Sequence, residues 1–166
     1  WAWSSFFSPF NLGATATGFN FTVLNIKKYI AAVARYKVNS FCAPPTAWRA
    51  FVGLDLSEYD LSAMKYSISA GEPLNPEVID QWREGTGTEI RDFYGQTEST
   101  DGVLMARGTS VFDREGTVGR QNPFVTVAIR RPDGSLADAD EEGEIRVPFS
   151  AEPGEHSIVV RSGSVA

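Results

Sequence analysis

The sequence contains one cysteine, Cys42, and one histidine, His156, among its 166 residues. A single cysteine excludes a disulfide within the chain and is typical of proteins from a reducing compartment, so we expect a cytoplasmic location. A single histidine excludes a metal site built from several histidines. It also argues against a nucleophile activated in a Ser-His or Cys-His pair.

Basic residues are outnumbered by acidic residues, 15 to 21, which gives a formal net charge of −6. No basic run exceeds two residues, as at Lys27-Lys28, so the charge argues against nucleic-acid binding. Apolar runs are also short, and none approaches the roughly 20 residues that a membrane-spanning helix needs. We therefore expect neither nucleic acid nor a membrane as a partner.

The first two thirds of the sequence alternate between strand and helix patterns. One face of the pattern steps by three or four residues from Val23 to Lys37, which predicts an amphipathic helix of about four turns capped by Thr22 or Asn20. The other predicted elements are strands over 14–17, 38–43, 66–70 and 89–93, a helix over 46–52, and a helix that Asn75 caps and that runs to about Arg83. The alternation predicts an α/β fold with a parallel sheet and flanking helices.

After Gly102 the pattern changes to strands and turns. Residues 125–129 and 143–147 are typical of β-strands, and no pattern is recognisable after Pro148. We therefore divide the sequence into an α/β subdomain over 1–110, the start of a small β-subdomain over 111–148, and an irregular tail over 149–166.

Two segments at the predicted strand ends combine residues suited to binding a nucleotide. Ligands of parallel sheets bind outside the carboxyl ends of the strands, so the loops after Ala43, Ala70 and Phe93 should share one edge. The segment 94–98 (YGQTE) offers an aromatic ring, a hydroxyl and a carboxylate, and 70–75 (AGEPLN) offers glycine backbone. Each segment alone also fits an ordinary polar turn, whereas the two together favour a nucleotide-phosphate site.

In this order the motifs resemble those of the AMP-forming acyl-activating enzymes, which include acyl-CoA synthetases, luciferases and peptide-synthetase adenylation domains. The segment 94–98 is similar to the central motif of that superfamily, and 70–75 to its adenine-flanking loop. Further similar segments are 43–46 (APPT), 116–120 (GTVGR) and 143–145 (GEI). The resemblance covers residues 1–147 and is strongest to medium-chain and aryl acyl-CoA synthetases, which implies the second α/β subdomain of such an enzyme's N-terminal domain.

The resemblance implies ATP or AMP, Mg²⁺ and coenzyme A as ligands and a small carboxylic acid as substrate. Tyr94 would stack on adenine, the backbone at Gly71, Glu72 and Pro73 would line its edge, and Asp92 would accept a hydrogen bond from its amino group. Thr97 would contact the α-phosphate and Glu98 would hold Mg²⁺, so these two are the candidate catalytic residues. Phe93, Gly95 and Gln96 complete the implied nucleotide site.

Two residues bear on the acid. In acetate-specific relatives a bulky aromatic residue follows the stacking aromatic, and Gly95 leaves that volume open for a medium-chain or aromatic acid. Trp1 would line the acyl tunnel, although it is equally compatible with a core position.

The sequence has neither the family's Ser/Thr/Gly-rich phosphate loop nor its small domain with a catalytic lysine. We therefore expect an internal fragment that makes no acyl-CoA by itself. The alternatives are an adenylation domain that loads a carrier protein, a non-catalytic nucleotide-binding or assembly module of the same fold, and a fragment that self-associates through its aromatic-rich start.

Overall fold

The computed structural model describes residues 8–18, 25–95, 102–105, 120–121, 126–149 and 156–160. The helices are α1 (Ser8–Asn11), α2 (Ile26–Arg35), α3 (Pro45–Val52) and α4 (Pro76–Thr86), with a short 3-10 turn at Leu56–Glu58. The strands are β1 (Ser40–Ala43), β2 (Tyr66–Ala70), β3 (Ile90–Gly95), β4 (Gly102–Met105), β5 (Arg120–Gln121), β6 (Ala128–Arg130), β7 (Glu144–Phe149) and β8 (His156–Val160).

The first sheet has five strands in the order β1-β2-β3-β4-β5. Strands β1, β2 and β3 are parallel, and α3 and α4 provide the connections between them. The predicted α/β fold with a parallel sheet and flanking helices is therefore confirmed. The sequence did not predict that β4 and β5 extend the sheet in the antiparallel sense.

The second sheet is a three-stranded antiparallel sheet in the order β6-β7-β8. It confirms the β-character predicted for the region around the 143–147 strand. The prediction of a patternless tail was wrong for His156–Val160, which pairs with β7 from Phe149↔His156 to Ile145↔Val160. The apolar run at 158–160 suits a strand. The hydrogen bonds that hold this strand come from β7, however, and nothing in the run itself identifies that partner.

Two predictions near the start of the chain were also wrong. Helix α2 begins at Ile26, and its cap is Asn25, whose side chain accepts a hydrogen bond from the Lys28 amide at 3.0 Å. Thr22 and Asn20 are therefore not the caps. Residues 14–17 form no strand and are mostly exposed, so the alternation of small and polar residues there finds no pairing partner.

The start of α4 was predicted correctly. Asn75 caps the helix by accepting a hydrogen bond from the Glu77 amide at 3.0 Å, and Pro76 occupies the first turn, where it costs no hydrogen bond. The helix continues past Arg83 and ends where Gly87 adopts a left-handed conformation with φ 72°. Because glycine has no Cβ, it adopts this conformation without the steric cost that other residues meet.

Four aromatic side chains hold the helices against one face of the parallel strands. They are Phe41 of β1, Trp48 and Phe51 of α3, and Trp82 of α4, with ring centroids 4.8 Å apart for the two tryptophans. Trp82 is fully buried, and its indole Nε1–H donates to the Ser67 hydroxyl at 2.9 Å and to the Thr88 hydroxyl at 3.1 Å. The cluster therefore fixes α4 to β2 by apolar packing and by a specific hydrogen bond.

We expect Trp82→Phe to lower the free energy of unfolding by about 2 kcal/mol, because it removes both packing volume and the donor to a buried hydroxyl. Urea denaturation followed by circular dichroism measures this change. Tyr66→Phe is the control, since it removes a polar group from a ring that is 48% exposed and should change stability by less than about 0.5 kcal/mol. Equal effects of the two substitutions would contradict the proposed role of the indole.

Gly143 allows β7 to begin close against β6. A Cβ atom at this position would lie 2.6 Å from Ile129 Cγ2 and 2.8 Å from the backbone oxygen of Arg130. Backbone cannot move aside as a flexible side chain can, so the site accepts only glycine without a local shift. Packing against β6 thus explains why glycine is the first residue of the Gly143-Glu144-Ile145 segment.

Gly143→Ala should destabilise the small antiparallel sheet by about 1 to 3 kcal/mol, through the overlap with β6. Amide hydrogen exchange measured in β6 and β7 reports this locally, since exchange should accelerate there and stay unchanged in α4. Gly18→Ala is the matched control, because a Cβ at Gly18 meets nothing within 4 Å. Unchanged exchange in β7 of the Gly143 variant would contradict this prediction, because it would show that the added methyl group is accommodated at no cost to the pairing of β6 and β7.

Candidate functional site

The carboxyl ends of the three parallel strands lie side by side. Ala43 of β1 is in register with Ser69 of β2, and Ser69 in turn is in register with Asp92 of β3. Ala70 is in register with Phe93. The structure therefore confirms that the carboxyl ends of these strands share one edge of the sheet, as the sequence predicted.

One detail at this edge differs from the prediction. Strand β3 does not end at Phe93 but continues through Tyr94 and Gly95, which pair with Leu104 and Gly102 of β4. The pairing register shifts between Tyr94 and Gly95, so the strand is irregular where the central motif begins. Tyr94 is therefore held by strand pairing and does not sit in a free loop.

The loop from Gly71 to Asn75 is fixed at both ends, while its middle is exposed. Gly71 takes a φ of 98°, which favours glycine, and turns the chain out of β2. Leu74 is 6% exposed and anchors the loop in the core before Asn75 caps α4. Glu72 and Pro73 are exposed between these anchors, which leaves their backbone accessible at the edge of the sheet.

An ion pair links this loop to the neighbouring helix. Arg49 Nη2 of α3 lies 3.6 Å from Glu72 Oε2, and both side chains are about half exposed. Exposed pairs of this kind contribute little to stability, because water screens them. The pair nevertheless shows that α3 and the Gly71–Asn75 loop flank the same part of the edge.

Asp92 is a buried carboxyl beside a buried serine. It is 9% exposed, its in-register neighbour Ser69 is fully buried, and both belong to the sheet face that α4 covers. Burial raises the pKa of the Asp92 carboxyl to about 6, while the backbone amides of Leu74 and Phe93 and the hydroxyl of Ser69 act to lower that pKa. Burial has the larger effect because it removes water from the charged form.

Three buried polar atoms in this area have no hydrogen-bond partner among the described residues. They are Ser69 Oγ, Asp92 Oδ1 and the hydroxyl oxygen of Tyr94. Tyr94 lies two residues after Asp92 on β3, so both side chains belong to the same face, and burial raises the pKa of the Tyr94 hydroxyl. Buried polar groups are usually paired, so a cluster of unpaired ones indicates a site that a ligand or water completes.

The chemistry of the cluster suits a flat molecule with an amino group. Asp92 offers an acceptor for an N–H group, and Tyr94 offers an aromatic ring at the same edge. Of the predicted site residues, the structure brings together Gly71, Glu72, Pro73, Asp92, Phe93, Tyr94 and Gly95. Trp1, Gln96, Thr97 and Glu98 lie outside the described residues.

Sequence reasoning missed Ser69. The signal was present, because Ser67 and Ser69 occupy the alternate positions of a strand whose other residues are apolar or aromatic. In a strand, alternate positions share a face, so two serines on one buried face required partners that the sequence could not name. Ser67 finds its partner in Trp82, whereas Ser69 lies next to Asp92 without one.

Among the described residues, no three histidine, cysteine, aspartate or glutamate side chains lie close enough together to hold a metal ion. Glu98, the predicted Mg²⁺ ligand, is not among these residues. The magnesium site thus stays a prediction from the sequence.

The buried Asp92 carboxyl makes a prediction about stability and pH. The pKa of this carboxyl is about 6 in the folded chain, compared with an ordinary value of 3.8. The folded chain therefore binds the proton more tightly than the unfolded chain does. As a result, the free energy of unfolding falls as the pH rises from about 4 to 6. Asp92→Asn removes this dependence. The free energy of unfolding of the variant, relative to that of the wild type, should therefore be roughly 2 to 3 kcal/mol larger at pH 7.5 than at pH 4. Urea denaturation at both pH values measures the gain.

Glu84→Gln is the control for this measurement, because Glu84 is exposed on α4. The control should follow the wild type at both pH values. If Asp92→Asn also follows the wild type, the carboxyl is hydrated in solution and its pKa is not raised by burial.

Comparison with solved structures identifies the same fold in CoA ligases. An anthranilate CoA ligase, AuaEII, in complex with anthranoyl-AMP, matches with a TM-score of 0.81 at 26% sequence identity, over 87% of this chain and 28% of that chain. A benzoate CoA ligase from Burkholderia xenovorans LB400 shares the fold with a TM-score of 0.73 at 24% identity, over 86% of this chain and 29% of that one.

Comparison of sequences gives related results. The 4-hydroxybutyrate–CoA ligase 1 of Metallosphaera sedula is 40% identical over 154 residues, which make up 92% of this chain and 27% of that protein. The mitochondrial acyl-coenzyme A synthetase ACSM3 of Rattus norvegicus is 33% identical over 146 residues, or 88% of this chain and 25% of that protein. The chain thus spans about a quarter of the length of these relatives.

The match to a family covers nearly the whole chain. Residues 1–148 match the family described as AMP-binding enzyme, close to the range 1–147 over which the motifs resemble adenylate-forming enzymes. Together with the identity to named CoA ligases and the shared fold, this match shows that the chain belongs to the AMP-binding enzyme family.

Proposed function

We propose that the chain carries part of the nucleotide- and acyl-binding centre of an AMP-forming carboxylic acid–CoA ligase. The observation that carries the proposal is the cluster at the sheet edge, where Asp92 and Tyr94 lie on one face of β3 beside the loop that follows Gly71. An acceptor, an aromatic ring and exposed backbone are the groups that recognise adenine.

In the proposed site the adenine ring stacks on Tyr94 and its amino group donates to Asp92. The exposed backbone at Gly71, Glu72 and Pro73 lines the edge of the ring, and the lack of a Cβ at Gly71 permits close approach. Asp92 is suited to its part because its carboxyl is buried with one oxygen unpartnered, so an N–H donor can supply the hydrogen bond that this oxygen lacks.

The phosphates extend from adenine toward the residues that follow Gly95. There Gln96 would continue the nucleotide site, Thr97 would contact the α-phosphate, and Glu98 would hold Mg²⁺, which would supply positive charge against the phosphates. The acid's carboxylate attacks the α-phosphate and pyrophosphate leaves, and the thiol of coenzyme A then displaces AMP from the acyl-adenylate. The chain's own contribution is positioning and charge stabilisation.

The acid in this proposal is of medium chain length or aromatic. Gly95 places no side chain after Tyr94, which leaves room for a larger acyl group, and Trp1 lines the acyl tunnel. A structural neighbour that is an anthranilate CoA ligase supports the aromatic part of this range, whereas the acid named for one relative, 4-hydroxybutyrate, has only four carbons and does not bear on it. Fatty acid metabolism is the corresponding role.

The cytoplasmic location and the partners are also proposals. Within the described part of the chain, no helix combines the length and the apolar character that crossing a membrane requires. Exposed large apolar residues, which include Phe10, Leu12 and Tyr66, support the proposal that the chain self-associates.

Titration with AMP tests nucleotide binding by the chain. Saturation-transfer NMR monitors the titration, because we expect weak binding. The wild type should bind AMP, and Tyr94→Ala should weaken binding at least about tenfold through loss of stacking. Tyr66→Ala is the matched control, because Tyr66 lies at the opposite end of the parallel strands and its loss should leave binding unchanged. Absence of binding by the wild type would favour a non-catalytic module.

Catalysis is tested by supplying the remaining length of a ligase. The chain should release no pyrophosphate from ATP and any acid by itself. Exchanged for the matching segment of the Metallosphaera sedula ligase, it should support acyl-CoA and AMP formation, with medium-chain or aromatic acids preferred to acetate. Transfer to a carrier protein but not to coenzyme A would instead indicate an adenylation domain.

A further inference from the structure

Ser69 carries one of three buried polar atoms near this edge of the sheet that have no hydrogen-bond partner among the described residues. Its side chain is fully buried and its Oγ makes no hydrogen bond to any described residue. Ser67, on the same face of β2 and equally buried, accepts from the Trp82 indole at 2.9 Å. The contrast shows that the unpaired hydroxyl is particular to Ser69 and does not reflect how β2 packs in general.

The neighbour of Ser69 is Asp92, a carboxyl group that can accept a hydrogen bond from a hydroxyl. Asp92 is in register with Ser69 on the adjacent strand, and its Oδ1 is likewise buried without a partner. A carboxylate only accepts hydrogen bonds, while a serine hydroxyl can rotate to donate one. The two atoms therefore complement each other, although they do not form a hydrogen bond of ordinary geometry in the structure.

We propose that Ser69 is a positioning residue for Asp92: its hydroxyl turns to donate to the ionised carboxylate and holds it in place to accept the adenine amino group. The proposal rests on the proposed function for the identity of the ligand. It adds a residue that the family resemblance did not supply, and it concerns recognition of the 6-amino group in particular.

The surroundings of Asp92 leave this task to Ser69. The groups that act on its pKa besides burial are uncharged: the amides of Leu74 and Phe93 and the Ser69 hydroxyl. The titratable side chain on the same face is Tyr94, and above it Glu72 pairs with Arg49 across the loop. The amides are fixed by the backbone and the Tyr94 hydroxyl is not among the groups that act on this pKa, so within the described residues the serine supplies the adjustable donor.

The test compares AMP with purine riboside 5′-monophosphate, which lacks the 6-amino group. The wild type should bind AMP about tenfold more tightly, as expected for one hydrogen bond to a charged group. In Ser69→Ala the ratio should fall to about twofold or less, since the carboxylate is no longer held toward the amino group. Binding is measured by competition in saturation-transfer NMR.

Ser67→Ala is the matched control, because it removes a buried serine from the same face of the same strand. It should lower stability through the loss of the Trp82 partner and keep the wild-type ratio between the two nucleotides. An equal loss of affinity for both nucleotides in Ser69→Ala would overturn the proposal, because it would show a purely structural role. Ser69→Cys, which keeps the volume with a weaker donor, should give an intermediate ratio and serves if the alanine variant fails to fold.

A second readout separates this proposal from the proposed function. If the wild type binds neither nucleotide, the nucleotide site is refuted, and the Ser69–Asp92 pair is still tested by the carboxyl ¹³C titration of Asp92. Loss of the donor in Ser69→Ala, or its weakening in Ser69→Cys, should raise the pKa of Asp92 above its wild-type value of about 6. An unchanged pKa in a folded variant would overturn the proposal.

Discussion

The parallel pairing of β2 with β3 is the constraint on which the candidate site depends. Ser67 through Ala70 lie beside Ile90 through Phe93 without a shift in register, so both strands deliver their carboxyl ends to the same edge. Parallel strands need a crossover connection, and α4 provides it on the face where Trp82 packs. The loop at Gly71 and the aromatic ring at Tyr94 become neighbours only because this pairing and this crossover coexist.

The face beneath α4 changes character along its length. Toward the start of the strands it is a packed core, with Trp48, Phe51 and Trp82 around the paired hydroxyl of Ser67. Two residues further on it becomes polar and incompletely paired, at Ser69 and Asp92. The same sheet thus supplies a rigid support and, at Asp92, a buried acceptor that is stabilised when a hydrogen-bond donor binds. Binding sites are usually held by rigid elements in this way.

Membership of the AMP-binding enzyme family and the local geometry support the proposed nucleotide site by independent routes. Family membership rests on the match over 1–148, while the geometry rests on unpaired buried atoms, a raised pKa and a glycine turn. The chain spans about a quarter of the length of these relatives, so the ligase reaction and the recognition of adenine at this edge are proposals for this chain.

The sequence by itself determined the class of fold, the edge of the sheet that carries the site, and several element boundaries. Helix α4 was predictable because its cap, its proline and its final glycine act within a few residues of one another. The failures were long-range: β8 needed β7 as a partner, and residues 14–17 found none. Ser69 is the clearest case, since a serine on a buried strand is unremarkable until register places it beside Asp92. Local interactions can be read along the chain, but burial and register arise only when distant segments meet, and those two quantities decided the charge state of Asp92 and the partner available to it.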